Sequence, residues 1–218
     1  MIDMKQIKTT LLTLLVALFI IACKNEQGKS NTEKRGIEET SSVKNSIQEG
    51  QKTIFQKTLT LQNISFDIKT YREGSISQLS IQPKGLEIDN RKNVHEIDGK
   101  VVNAEIEDLN SDGFPEILIY TVSAGSGSYG NVIGYSVNSG KSINQIYFPE
   151  LSETKEASIG YMGHDEFAIV ETSLVRRFPI YKDENTNNNP TGGTRQIQYK
   201  LKDGEASRLF VIDKISEY

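Results

Sequence analysis

From Ile54 onward the chain consists of short runs in which apolar and polar residues alternate, and this period of two restricts the fold more than any other feature. Ile64, Phe66 and Ile68 alternate with Ser65, Asp67 and Lys69. A strand turns successive side chains to opposite faces, so such a run can bury one side of a sheet but cannot form an amphipathic helix. Comparable runs lie at Ile54–Leu61, Ile76–Ile81, Val101–Glu107, Ile117–Val122, Val132–Val137, Ile143–Phe148, Phe167–Leu174, Arg195–Leu201 and Arg208–Ile212. They are rich in Ile, Val, Tyr and Phe and are separated by Gly, Asn, Asp and Ser. The pattern predicts an all-β protein: a single antiparallel β-sandwich or barrel-like domain over residues 53–218. Asp203–Gly204 reads as a hairpin turn between the last two runs, and a helical turn is expected near Leu151–Glu156. A domain of this length can bury a core without disulfides.

The N-terminus reads differently. Lys5 and Lys8 precede the apolar stretch Leu11–Ile21, which is too short to span a bilayer comfortably. It ends in Ile20–Ile21–Ala22–Cys23, which resembles the bacterial lipobox, where a cysteine after a small residue is acylated. The chain has one cysteine, and it stands at that position. Residues 1–22 are therefore expected to be a lipoprotein signal peptide and Cys23 the lipidation site. An ordinary signal or a single anchor helix is the alternative. Lys24 after the cysteine favours an outer-membrane lipoprotein, periplasmic or surface-exposed. Residues 23–52 are rich in Ser, Thr, Asn, Gln, Glu and Lys with no apolar period, as expected of a flexible, disordered tether.

Composition excludes several classes. A lone cysteine cannot build a disulfide framework or a thiolate zinc site. The net charge of −4, from 25 basic and 29 acidic residues, argues against a nucleic-acid partner. Gly125–Ser126–Gly127–Ser128–Tyr129–Gly130 matches G-x-G-x-x-G, but the following residues read as a strand, whereas a dinucleotide site needs a helix there. Gly140–Lys141–Ser142 imitates the end of a phosphate loop, yet Tyr135 stands where the first glycine is needed. Asn138–Ser139–Gly140 is better read as a hairpin turn. His95 and His164 are the only histidines, and their separation gives no metal-ligand spacing.

Three motifs remain. Asp108–Leu109–Asn110–Ser111–Asp112–Gly113–Phe114–Pro115–Glu116 places side-chain oxygens of Asp108, Asn110, Asp112 and Glu116 at loop positions 1, 3, 5 and 9. The Phe114 carbonyl falls at position 7. Such a ring of oxygens suits Ca²⁺. Position 12 is Ile119, so this is no EF-hand; it resembles the calcium loops of integrin-type β-repeats, here in one copy. The same residues equally suit a metal-free loop of Asx turns. The second motif, Ser123–Asn131, is a glycine-rich loop with hydroxyls and one aromatic, Tyr129. The third, Arg176–Tyr199, reads as strand, long polar loop, strand.

Taken together, these motifs resemble the bacterial periplasmic inhibitors of I-type (invertebrate-type) lysozyme, from roughly Gln51 to the C-terminus. The resemblance rests on Asp108–Glu116 leading into Ile117–Val122 and then Ser126–Gly127–Ser128–Tyr129. Arg177–Tyr181 and Pro190–Tyr199 are similar too. It implies an antiparallel β-sandwich, often a homodimer, without enzymatic activity. It also implies that an I-type lysozyme is the partner and that Ser126, Gly127, Ser128 and Tyr129 enter its cleft. The lipobox would make this an anchored variant, held to a membrane by its lipid. The rival readings are a calcium-stabilised surface adhesion or glycan-binding lipoprotein, and a hydrolase using His95 or His164.

Overall fold

A computed structural model describes residues 52–73 and 76–218. The expected signal peptide, most of the tether and Cys23 lie outside the described residues. Twelve strands follow in order. They are β1 (Thr53–Leu61), β2 (Ile64–Glu73), β3 (Ile76–Lys84), β4 (Asn93–Asp98), β5 (Lys100–Glu107), β6 (Glu116–Val122), β7 (Gly130–Asn138), β8 (Ser142–Ile146), β9 (Glu166–Val170), β10 (Ser173–Pro179), β11 (Thr194–Lys202) and β12 (Leu209–Glu217). They form three antiparallel four-stranded sheets: β1-β2-β3-β4, β5-β6-β7-β8 and β12-β11-β10-β9. The all-β antiparallel expectation holds, with one more layer than a two-sheet sandwich has.

Each sheet is a meander of neighbours in sequence, because its turns are locally encoded. Gln62 and Asn63 (φ 51° and 64°) join β1 to β2, and Ser139 and Gly140 (φ 49° and 73°) join β7 to β8. Two successive left-handed residues give the turn whose twist matches paired strands. The Lys141 N–H closes the second turn by donating to the Asn138 carbonyl at 2.9 Å. The sequence that imitates a phosphate loop is therefore a hairpin. Gly99 (φ 108°) carries the chain from the first sheet to the second, and a β-carbon there would lie 2.0 Å from the Val122 carbonyl oxygen.

The middle sheet is covered on both faces. Along β6, Ile117 and Ile119 pack with Ala104, Tyr135 and Val137 against Phe66, Ile68, Leu79 and Ile81 of the first sheet. Leu118 and Tyr120 point the other way, with Val132 and Ile146, into a second core built with Leu174, Phe178, Ile197, Tyr199 and Phe210. All of β6 except Val122 is buried. A strand buried on both faces reads as a continuous apolar run, as Ile117–Leu118–Ile119–Tyr120 does.

Four local expectations change. The strand β4, with the sequence Asn-Val-His-Glu-Ile-Asp, went unread because its polar residues hide the alternation. It is an edge strand, and edges tolerate charge. Phe167–Leu174 is not one strand; it is the turn of a hairpin between β9 and β10, with Glu171 at φ 54°. The run from Ile143 stops pairing with β7 at Ile146, and Tyr147 instead bridges Leu209 of β12. Asp203–Gly204 is not a two-residue turn, since six residues, 203–208, separate β11 from β12. The helical turn near Leu151 is present, as a short 3₁₀ turn at Leu151–Glu153 and a helical turn, α1, at Lys155–Ser158.

Leu118 is fully buried in the seam between the second and third sheets. Leu118→Ala is expected to lower the unfolding free energy by about 3 kcal/mol, as large-to-small core changes do. Urea denaturation measures it.

Candidate functional site

The loop between β6 and β7 is closed at its neck. The Ser123 N–H donates to the Tyr129 carbonyl at 2.9 Å, and the Tyr129 N–H returns to Ser123 Oγ at 3.1 Å. Between them the chain turns tightly: the Ser128 N–H donates to the Gly125 carbonyl at 3.1 Å, with Ser128 at φ 45°. Ser126 is exposed, and Tyr129 keeps half its surface in solvent. Gly127, by contrast, is buried, because the Tyr129 ring folds back over it; a β-carbon on Gly127 would lie 2.6 Å from Tyr129 Cε2.

Two other loops hold this one. The segment before β9 supplies His164, whose N–H donates to the Gly127 carbonyl at 2.7 Å. It also supplies Tyr161, edge-on to Tyr129 at 5.7 Å, and Asp165, whose Oδ2 accepts the Gly130 N–H at 2.7 Å. From the long loop after β10, Asn187 Nδ2 donates to the Ser126 carbonyl at 3.2 Å. That loop is itself folded: Tyr181 Oη donates to the Asn187 carbonyl at 2.9 Å, and Asn185 binds Thr191 and the Lys182 N–H. Two loops from other parts of the sequence thus converge on Ser126–Tyr129.

Arg195, at the end of the long polar loop, does not reach this surface. Arg195 is buried on β11, donating to the Ala157 and Ile159 carbonyls and pairing with Glu217 at 2.5 Å. From that long loop it is Asn187 that bonds to the glycine-rich loop, and its stretch of asparagines carried no periodic signal. His164 was legible only as a loop histidine. Its left-handed backbone (φ 59°) turns its N–H toward Gly127, and its ring lies near Asn187 and Tyr181. His95 is elsewhere, on β4, with its Nε2 2.7 Å from Tyr135 Oη, and burial lowers its pKa. Neither histidine has a serine or carboxylate as hydrogen-bond partner among the described residues.

The Asp108–Glu116 loop lies at the other end of β6, about 20 Å away at the usual strand rise. The structure does not bring it to the glycine-rich loop. Asp108 accepts the Asp112 and Gly113 N–H groups at 3.0 and 2.9 Å, and Asp112 Oδ1 accepts the Phe114 N–H at 2.9 Å. Asn110 Oδ1 accepts the Asp112 N–H at 3.2 Å, and Gly113 adopts φ 86°. Glu116 points inward, with no exposed side-chain surface, and accepts from the Leu109 N–H, Ser136 Oγ and Arg208 Nη1. Arg208 also pairs with Asp112 at 2.5 Å and with Asp203 at 3.3 Å.

The side-chain oxygens of Asp108, Asn110, Asp112 and Glu116 thus accept from backbone N–H groups, the Ser136 hydroxyl and one guanidinium. Among the described residues no group of three or more His, Cys, Asp or Glu side chains is arranged to hold a metal ion. Arg208 supplies positive charge between Asp112 and Glu116, and so ties the loop before β6 to the loop before β12.

Removing one partner of such a buried pair is costly. Arg208→Met is expected to destabilise the fold by about 3 kcal/mol, measured by urea denaturation, while melts with millimolar Ca²⁺ and with EDTA coincide. Burial pushes the Glu116 carboxyl up to about 7, outweighing the lowering by Ser136, Leu109 and Arg208. The folded state then binds this proton more tightly than the unfolded chain does. Its contribution is present below about pH 4.5 and is lost as pH rises through about 7. Denaturation at pH 5 and pH 8 should show wild type losing stability relative to Glu116→Gln; parallel profiles would contradict this.

No curated protein and no solved structure matches the chain. A family model described as periplasmic lysozyme inhibitor of I-type lysozyme matches residues 64–162. The match runs from β2 through the glycine-rich loop to Met162, spanning most of the first sheet and all of the second, and ends before β9. Over that stretch the chain is similar to the family of periplasmic inhibitors of I-type lysozyme.

Proposed function

We propose that this protein is a non-enzymatic inhibitor of an I-type lysozyme that seats the Ser126–Tyr129 loop in the enzyme's active-site cleft. One observation carries the reading: within the stretch that matches the family, a short loop presents Ser126 and Tyr129 to solvent while its backbone is fastened from behind. Lysozymes act with one protonated and one ionised carboxyl group. The Ser126 and Tyr129 hydroxyls can hydrogen-bond to such groups, and they offer no glycosidic bond to cleave.

A tip of four residues cannot by itself bury the ~1,200–2,000 Å² of a stable complex. The surrounding loops supply the rest. Ile159 and Met162 are exposed on the segment before β9, at 59% and 36%, and Asp183 and Glu184 are exposed on the loop after β10. Negative charge there and over the whole chain speeds encounter with a basic enzyme more than it tightens the complex. Membrane attachment through Cys23, at the outer membrane, belongs to the same proposal. Cys23→Ser should lose both a palmitate-analogue label and membrane fractionation.

Tyr129 is the expected anchor, since interface energy concentrates in central aromatic residues at about 2 kcal/mol or more each. Tyr129→Ala should therefore raise the inhibition constant about 30-fold. Ser126→Ala should cost ~1–3 kcal/mol by leaving an enzyme carboxyl unpaired. Inhibition assays with an I-type lysozyme measure both. Wild-type inhibition by both variants would refute the loop's role.

A further inference from the structure

Behind the loop lies a closed polar triangle built on two buried side chains, Asp165 and Arg176. The Asp165 side chain has no exposed surface and that of Arg176 is 4% exposed. Arg176 Nε donates to Asp165 Oδ1 at 2.6 Å, and Arg176 Nη2 donates to Tyr161 Oη at 2.7 Å. Tyr161 Oη in turn donates to Asp165 Oδ2 at 2.6 Å. The guanidinium also lies over the rings of Tyr161 and Phe167, 4.9 and 5.4 Å from their centroids. Burying such a pair gains little over packing apolar residues in its place, so stability alone does not account for it.

Several contacts from this triangle and its chain neighbours end on the glycine-rich loop. Asp165 Oδ2 accepts the N–H of Gly130, where the loop enters β7. Gly130 has no room for a side chain, since a β-carbon there would lie 2.6 Å from Asp165 Cβ and 2.7 Å from Phe167 Cε2. Beside Asp165, the His164 N–H holds the Gly127 carbonyl, and a β-carbon on Gly163 would sit 1.9 Å from that same oxygen. Tyr161, whose hydroxyl is fixed in the triangle, sets its ring against Tyr129. The entry to β7, the carbonyl at the loop's centre and the aromatic at its end are thus all set from one buried carboxylate and its neighbours.

We propose that Asp165, fixed by Arg176 and Tyr161, is a positioning residue that holds the Ser126–Tyr129 loop in its binding shape before a partner arrives. The inference rests on the reading of that loop as the inhibitory element. Asp165 and Arg176 lie beyond residues 64–162, the stretch that matches the family model, whereas Tyr161 lies within it. If the loop wandered, only the fraction in the competent shape could bind, and the apparent dissociation constant would rise by the inverse of that fraction.

The test is Asp165→Asn in the full chain, which keeps the side chain's size and removes its charge. Two quantities are read: amide hydrogen exchange of the free protein by NMR, and inhibition of an I-type lysozyme. The Gly130 and His164 amides should exchange about tenfold faster or more, while that of Ile119 in β6 is unchanged. The inhibition constant should rise about tenfold, in proportion to the lost competent fraction. A folded variant with wild-type exchange at Gly130 and His164 overturns the proposal, as does faster exchange with unaltered inhibition. If Asp165→Asn does not fold, Tyr161→Phe, which removes only the bridging hydroxyl, decides by the same readouts. Should the wild type inhibit no I-type lysozyme, the functional reading fails, and the exchange data still decide whether Asp165 positions the loop.

Discussion

The structure depends on burying both faces of β6. A strand buries both faces only when something packs on each side of its sheet, and here the four consecutive apolar residues Ile117–Tyr120 lie between the first sheet and the third. Tyr120 shows how the layers are joined. Its ring stacks on Phe167 at 5.6 Å, and its hydroxyl donates to Glu105 at 2.6 Å. Glu105 also accepts the Ile169 N–H of β9 at 2.8 Å. A carboxylate between a phenol and a backbone amide thus links the second sheet to the third.

This central strand also places the two loops that the sequence marks out. One end of β6 receives the Asp108–Glu116 loop, locked by Arg208; the other launches Ser123–Asn131. Both are fastened to the third sheet, one through the residues before β12 and the other through the residues before β9 and after β10. On the proposed reading this arrangement matters energetically. Ordering a free loop costs about 1–2 kcal/mol per residue, and a glycine-rich loop is at the upper end. A loop already ordered in the free protein avoids most of that cost on binding.

Most of the sheet was legible in the sequence because one-sided burial leaves an alternating pattern, as in Ile64–Thr70 and Arg195–Leu201. The hairpin at Asn138–Gly140 was legible because Asn, Ser and Gly cluster between two apolar runs, and glycine takes a left-handed position at no steric cost. The third layer was not legible, since a short apolar run can be a core strand in many architectures. Within the site, Ser126 and Tyr129 could be read from composition. Asp165, Arg176 and Asn187 could not, because their roles depend on which distant loops meet. The engagement of Asp112 and Glu116 by Arg208 was hidden for the same reason: Arg208 is distant in sequence, and nothing local announces that it enters the loop. The inward turn of Arg195 was hidden likewise, as a basic residue beside a polar loop reads as exposed until α1 and Ile159 are placed over it.

The central claim is that this chain, through its β6–β7 loop, blocks an I-type lysozyme. Titrating the purified protein against I-, C- and G-type lysozymes, with cell-wall lysis as the readout, tests it most directly. The account predicts saturable inhibition of the I-type enzyme that is lost in Tyr129→Ala. Undiminished I-type activity at saturating protein, or equal inhibition by the Tyr129→Ala variant, would contradict it.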